Sequence, residues 1–113
     1  MSFSDRTEKL TEHLIQAEYE NAVVNYGEKY HSLHEGYAIL YEEVEEAKFE
    51  IDRIDALLRT IWQEVKKSQF QKYMKDDLSK LNQVIYLSIK ELAQVCAVLM
   101  KMRNTIGEVE ENV

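Results

Sequence analysis

The chain has 113 residues, and its 45% hydrophobic and 10% aromatic content is that of a folded domain rather than a disordered segment. Fourteen basic against twenty-one acidic residues give a formal charge of −7, which argues against general binding to nucleic acid or to anionic membrane surfaces. The only cysteine, Cys96 in the apolar run LAQVCAVLM, has no partner for an internal disulfide and reads as a small core residue rather than a nucleophile.

No uninterrupted apolar run approaches the ~18 residues of a membrane span, and the start MSFSDRTEKL lacks the apolar core of a signal peptide. A cytoplasmic protein without a membrane partner is expected. Proline is absent, and the three glycines, Gly27, Gly36 and Gly107, leave residues 37–106 without a strong helix breaker. The chain therefore reads as all-α.

The first helix is expected over residues 4–26, marked by Phe3, Leu10, Leu14, Ala17 and Val24, with Thr7 and Asn21 interrupting its apolar series. Gly27 suits the left-handed position that ends it. Ser32 and Glu35 form a capping-box pattern that starts the second helix close to Leu33. From there the apolar or small residues Tyr37, Leu40, Val44, Ala47, Ile51, Ile54, Leu58, Ile61 and Val65 alternate steps of three and four. This seam predicts a helix over 33–66 that packs lengthwise on its partners. Lys66 and Lys67 suit its C-terminus, and Ser68 with Gln71 offers a second capping box, placing a reversal near 66–70. A break nearer the KDD at 75–77 is the alternative. The third helix is expected over 69–106, on the series Met74, Leu78, Leu81, Ile85, Ser88, Leu92, Val95, Leu99, Met102 and Ile106, with an acidic tail from 107 to 113.

At ~1.5 Å per residue the second helix is about 50 Å long, too long for a compact globule of this size, whose radius of gyration is near ~13 Å. The expectation is a single domain, an elongated antiparallel helical bundle with one shorter N-terminal helix and a long two-helix hairpin. Trp62, Leu57, Val84 and Leu87 lie off the main seams and call for another chain to bury them. A homo-oligomer, dimer or tetramer, completes the bundle.

The second helix carries Glu42, Glu43, Glu45, Glu46 and Glu50 close together, with only Lys48 among them. Carboxylates three apart converge well enough to share a hard divalent cation, although most such runs are solvated acidic faces. On the third helix Glu91 and Gln94 stand beside Leu92 and Val95 as Glu43 and Glu46 stand beside Val44 and Ala47, so two helices can present oxygen ligands to one gap. His34 lies in the first turn of the second helix, where it could point at a base or phosphate. Tyr26, Tyr30, Tyr37 and Tyr41 could line a nucleobase pocket or serve as packing residues. His13, His31 and His34 have no recognisable zinc spacing.

The blocks YGEKYHSLHEGYAILYEEVEEAKFEI and IKELAQVCAVLMK resemble the MazG-like group of the all-α nucleoside triphosphate pyrophosphohydrolases, especially small members from phages and prophages of Gram-positive bacteria. The likeness covers residues 26–51 and 89–101 closely and the connecting hairpin more loosely. It implies Mg²⁺ (or Mn²⁺) held by an ExxE and an ExxD pair, and cleavage of a nucleoside triphosphate to a monophosphate and pyrophosphate. Glu43 and Glu46 match ExxE, and Glu91 matches the first position of ExxD. Gln94 stands where the aspartate is expected, which keeps a carbonyl oxygen but removes one negative charge. Glu46 and Glu91 are 45 residues apart, a spacing that requires the helical extension around Trp62 and Phe70. Lys101 aligns with a basic position that would meet phosphates, with His34 and Tyr37 as further substrate contacts. Either Glu42 or Glu46 would orient the attacking water. The rival expectation is a non-catalytic, acidic helical protein that binds a host or phage protein.

Overall fold

The computed structural model describes residues 3–67 and 71–111. It is all-α, with no strand among the described residues: α1 spans Phe3–Tyr26, α2 Leu33–Lys67 and α3 Gln71–Glu111. The shorter N-terminal helix thus precedes two long ones, of 35 and 41 residues.

Local chemistry explains these limits. Gly27 has φ +85° and donates its N–H to the carbonyl of Val23 at 2.8 Å, the single bond of a left-handed helix cap. Ser32 caps α2, its Oγ accepting the Glu35 N–H at 3.1 Å. Helix α2 runs to Lys67 and α3 starts at Gln71; residues 68–70 of the expected reversal, with Ser68 of its capping box, lie outside the described residues. No break occurs at Lys75–Asp77, where the sequence has neither proline nor glycine, and Asp77 instead meets Glu64 and Lys80 through its side chain. Helix α3 also continues past Ile106 to Glu111, where a tail had been expected. One internal glycine, Gly107, costs a helix only about 1 kcal/mol.

The helices contribute to two compact units: one formed by α1, α2 up to Val44 and α3 from Leu92 onward, the other by Glu45–Glu91. In the first unit Tyr30, Ala93, Ala97 and Val98 are buried, together with the polar Lys101 and Thr105. Gly36 permits the close approach here, because a Cβ on it would lie 3.0 Å from both Met102 Cγ and Tyr30 Cδ2. That contact gives a packing reason for a glycine inside the first turns of α2.

The second unit is a helical hairpin. Its inward residues are Ala47, Glu50, Ile54, Leu57, Ile61 and Glu64 on α2, and Asp77, Leu81, Val84, Ser88 and Glu91 on α3, all buried or half-buried. This corrects the expected seam. Members of each apolar series alternate: Ala47, Ile54 and Ile61 turn inward, whereas Ile51, Leu58 and Val65 are exposed, and α3 behaves alike at Leu81 and Ser88 against Leu78 and Ile85. Val84, expected to need a second chain, is only 3% exposed within its own unit. Steps of three and four locate an apolar stripe but not its inward edge, and here the inward edge carries carboxylates. The buried Ser88 hydroxyl is satisfied by donating to the Val84 carbonyl at 2.8 Å.

Helix α3 also contains an 18-residue window, within Tyr73–Gly107, of mean hydropathy 1.4 with 28% of it buried. By length and composition it could cross a membrane. Counting only uninterrupted apolar residues misses it, because Lys90 and Glu91 interrupt the apolar residues around them.

Glu64 has a raised pKa, first because it shares a hydrogen bond with Asp77, then through burial and the Asp77 charge, with Lys80 opposing. A carboxyl whose folded pKa exceeds its unfolded value contributes stability that is complete below the unfolded value, near ~4.3, and is lost as pH rises through the folded one. Glu64→Gln keeps a hydrogen-bond donor for Asp77 without the titration. The variant is expected to melt above the parent at neutral pH and to lose that advantage in acid. Thermal melts in metal-free buffer at both pH values check this; a difference independent of pH would contradict it.

Candidate functional site

Glu46 and Glu91 meet in the hairpin unit. Glu91 occupies an inward position of α3, and its Oε2 is buried without a hydrogen-bond partner. Burial raises its pKa, followed by the charge of Glu46, a hydrogen bond with Glu46 and the charge of Glu50; Lys90 opposes them. Glu43 lies one turn before Glu46 on the same unbroken helix. Within this unit the Glu46 and Glu91 carboxylates lie close enough to share a hydrogen bond. Hard anionic oxygens this close repel unless a proton or a cation stands among them, and such a donor set suits Mg²⁺ or Mn²⁺. The residues present therefore fit the metal that the sequence resemblance implies.

The rest of the acidic run is accounted for on its own helix. Glu45 pairs with Lys48 at 3.4 Å and Glu50 with Arg53 at 3.1 Å. Glu42 is exposed and one turn before Glu46.

The first unit holds a cleft of about 580 Å³ that Glu43 also lines. Gln94, half-buried, faces the same cleft, together with Tyr26, Tyr30 and Lys101. Lys101 is only 5% exposed. Its Nζ donates to the Tyr26 carbonyl at 3.2 Å and sits 4.3 Å from the centroid of the Tyr30 ring, so a carbonyl and an aromatic face stabilise the ammonium. The Tyr30 phenol is raised in pKa by burial first, then by the charges of Glu43 and Glu35.

A single turn of α3 organises this side. Thr105 Oγ1 accepts the Tyr30 N–H at 3.0 Å and donates to the Lys101 carbonyl at 2.9 Å. Asn104 donates from Nδ2 to the Tyr19 hydroxyl at 2.6 Å and to the Glu28 carbonyl at 3.3 Å. Residues 101–105 thereby fix the link between α1 and α2.

Of the expected substrate contacts, Lys101 reaches the cleft but is held within the fold, whereas His34 and Tyr37 do not line the cleft. Both are exposed, and Tyr37 pairs instead with Tyr41, ring centroids 6.4 Å apart. Tyr37 follows the buried Gly36 and is turned ~100° from it. The sequence reading missed His31, Asn21 and Asn25, which do line the cleft. A signal for one was visible: Asn21 interrupts the apolar series of α1, and it does so where the helix faces the cleft.

Comparisons with family models, with curated proteins and with solved structures found no match.

Replacing Thr105 by valine keeps the shape but leaves the buried Tyr30 N–H without its acceptor. Thr105→Val should cost about 1–3 kcal/mol, read as a lower urea midpoint with an unchanged slope. An unchanged midpoint would mean that this turn does not fix the link.

Proposed function

We propose that the protein is a MazG-like nucleotide-binding protein that hydrolyses a nucleoside triphosphate to its monophosphate and pyrophosphate in the presence of Mg²⁺. The observation that carries this reading is the meeting of Glu46 and Glu91 across the hairpin, with Glu43 one turn before Glu46 on α2 and lining a cleft in the first unit. These three carboxylates would hold the metal, with Gln94 offering a neutral carbonyl oxygen from the cleft side. When bound, Mg²⁺ supplies charge neutralisation at the phosphates and an acidified water. Glu46, the exposed member of the group, or Glu42 one turn earlier, orients that water. In the cleft Tyr26 and Tyr30 offer aromatic surface for a base, and the amides of Asn21 and Asn25 can read its edge. The same reading places the protein in the cytoplasm of a bacterial host, encoded by a phage or prophage.

A second reading, a non-catalytic acidic protein that binds another protein, is favoured by two observations. Gln94 lacks the negative charge expected of a fourth ligand, and Lys101 already spends a hydrogen bond on the Tyr26 carbonyl. A screen of nucleoside triphosphates with Mg²⁺ or Mn²⁺, scored for pyrophosphate release, separates the two. Release that disappears in Glu43→Gln/Glu46→Gln supports the enzyme; no release with any of them supports the binding protein.

Two expectations about the metal follow. Without metal, the double glutamine variant should be more stable than the parent, by about 0.2–0.5 kcal/mol per relieved like-charge pair, and Mn²⁺ should no longer raise its melting temperature. A metal-free loss of stability would contradict repulsion as the dominant effect of these glutamates.

Gln94→Asp adds a hard anionic oxygen beside the group. Its affinity for Mn²⁺ should rise about tenfold, equivalent to about 1.4 kcal/mol, in calorimetric titration. Unchanged affinity would remove Gln94 from the proposed site.

A further inference from the structure

The cleft of the first unit is lined by three half-buried carboxylates, Glu18 on α1 and Glu35 and Glu43 on α2. Its volume of about 580 Å³ is that of a small-molecule site. Ionised carboxylates accept hydrogen bonds and donate none. They also repel phosphate, so the cleft suits the neutral, donor-bearing end of a ligand. The Tyr30 phenol lies in this field, and the charges of Glu43 and Glu35 add to the effect of burial in raising its pKa.

One group in the lining has the opposite character. Lys101 is 5% exposed, and its ammonium has three donors and no acceptor. The Tyr26 carbonyl is its one hydrogen-bond acceptor among the described residues. Buried donors short of acceptors are costly, and a ligand acceptor in the cleft relieves that cost.

The α1 wall completes the pattern. Glu18, Asn21, Ala22 and Asn25 are spaced to share one face of the helix. Asn25 spends an amide hydrogen on the Asn21 carbonyl at 2.9 Å, and Glu18 brings the one charge of this wall. A planar ring bound here needs two adjacent donors for a carboxylate and an acceptor for the ammonium. Guanine has both, with N1–H beside the 2-amino group and O6 beside N7. Adenine sets the N1 acceptor beside its amino group, and cytosine does the same with N3. Uracil and thymine flank a single N–H with two carbonyls. Each of these three patterns leaves a carboxylate oxygen against a lone pair.

We infer that the cleft selects guanine nucleotides, with Glu18 accepting from N1–H and the 2-amino group and Lys101 donating to O6 and N7. This rests on the nucleotide reading above and adds the base to it. Glu18 takes this role because Glu35 and Glu43 act on Tyr30, whose ring lies 4.3 Å from the Lys101 ammonium. Glu43 is also committed to the metal in that reading.

The test uses the full chain with Mg²⁺ and the α,β-methylene analogues of the four common ribonucleoside triphosphates, whose α–β bridge cannot be hydrolysed. In calorimetric titration the guanosine analogue should bind at least about tenfold tighter than the adenosine, cytidine and uridine analogues. The inosine analogue, which lacks the 2-amino donor, should bind about tenfold more weakly than the guanosine one. Glu18→Gln replaces one acceptor oxygen by a donor and should bring the four to within roughly threefold of one another. If that variant fails to fold, the guanosine and inosine analogues on the parent chain decide. Equal binding of the four, or of guanosine and inosine, overturns the inference and leaves the nucleotide reading standing. So does a guanine preference that survives in folded Glu18→Gln. Binding of none of the analogues overturns both.

Discussion

The structure depends on how the two helices of the hairpin are turned toward each other. Burying apolar surface drives helix association at about 25 cal/mol per Å², and a two-helix unit would be expected to put its widest apolar stripe inside. It does so only by half. Glu50, Glu64, Asp77 and Glu91 occupy inward positions among Ile54, Leu57, Leu81 and Val84, and the remaining apolar residues are displaced to the surface. The displacement has two effects at once. It brings carboxyl groups face to face across the helix pair, and it leaves a hydrophobic surface without a partner in the same chain.

Like charges that meet in a half-buried seam cannot all remain ionised without cost. The raised pKa values of Glu64 and Glu91 record two solutions of the same kind, each a carboxyl hydrogen-bonded to a second carboxyl. They differ in their surroundings. Beside Glu64 and Asp77 stands Lys80, 3.9 Å from Asp77, which supplies a fixed counter-charge. Glu91 faces Glu46 and Glu50 with only Lys90 opposing, so its surroundings keep an excess of negative charge. The two pairs thus differ in the counter-charge that stands beside them.

Much of this was legible in the residues. The absence of proline, the Ser32 cap and the Gly27 terminator fixed helix number and the α1–α2 boundaries, because each acts through local backbone chemistry. Spacing against the apolar series suggested only that carboxylates of α2 and α3 could present ligands to one gap; grouping Glu43 and Glu46 with Glu91 as a metal site rested on the family resemblance. What periodicity left open was rotation: an apolar series with steps of three and four is compatible with either edge facing inward, and the choice is made by the partner helix. Val84 and Leu58 were exchanged between core and surface for that reason. The cleft was hidden for a different one. It draws on α1, α2 and α3 at residues far apart in sequence, and Lys101, expected to meet phosphates, is held by the Tyr26 carbonyl and the Tyr30 ring.

The chain has a single tryptophan, and the fold puts it in an informative position. Trp62 is exposed on one side of the hairpin, and the Lys66 ammonium lies 5.6 Å from its ring. An indole in water beside a cation emits at long wavelength, and loss of that water moves the emission to the blue. The protein therefore carries a built-in optical reporter of whatever approaches this one side, with no competing indole elsewhere to blur the signal.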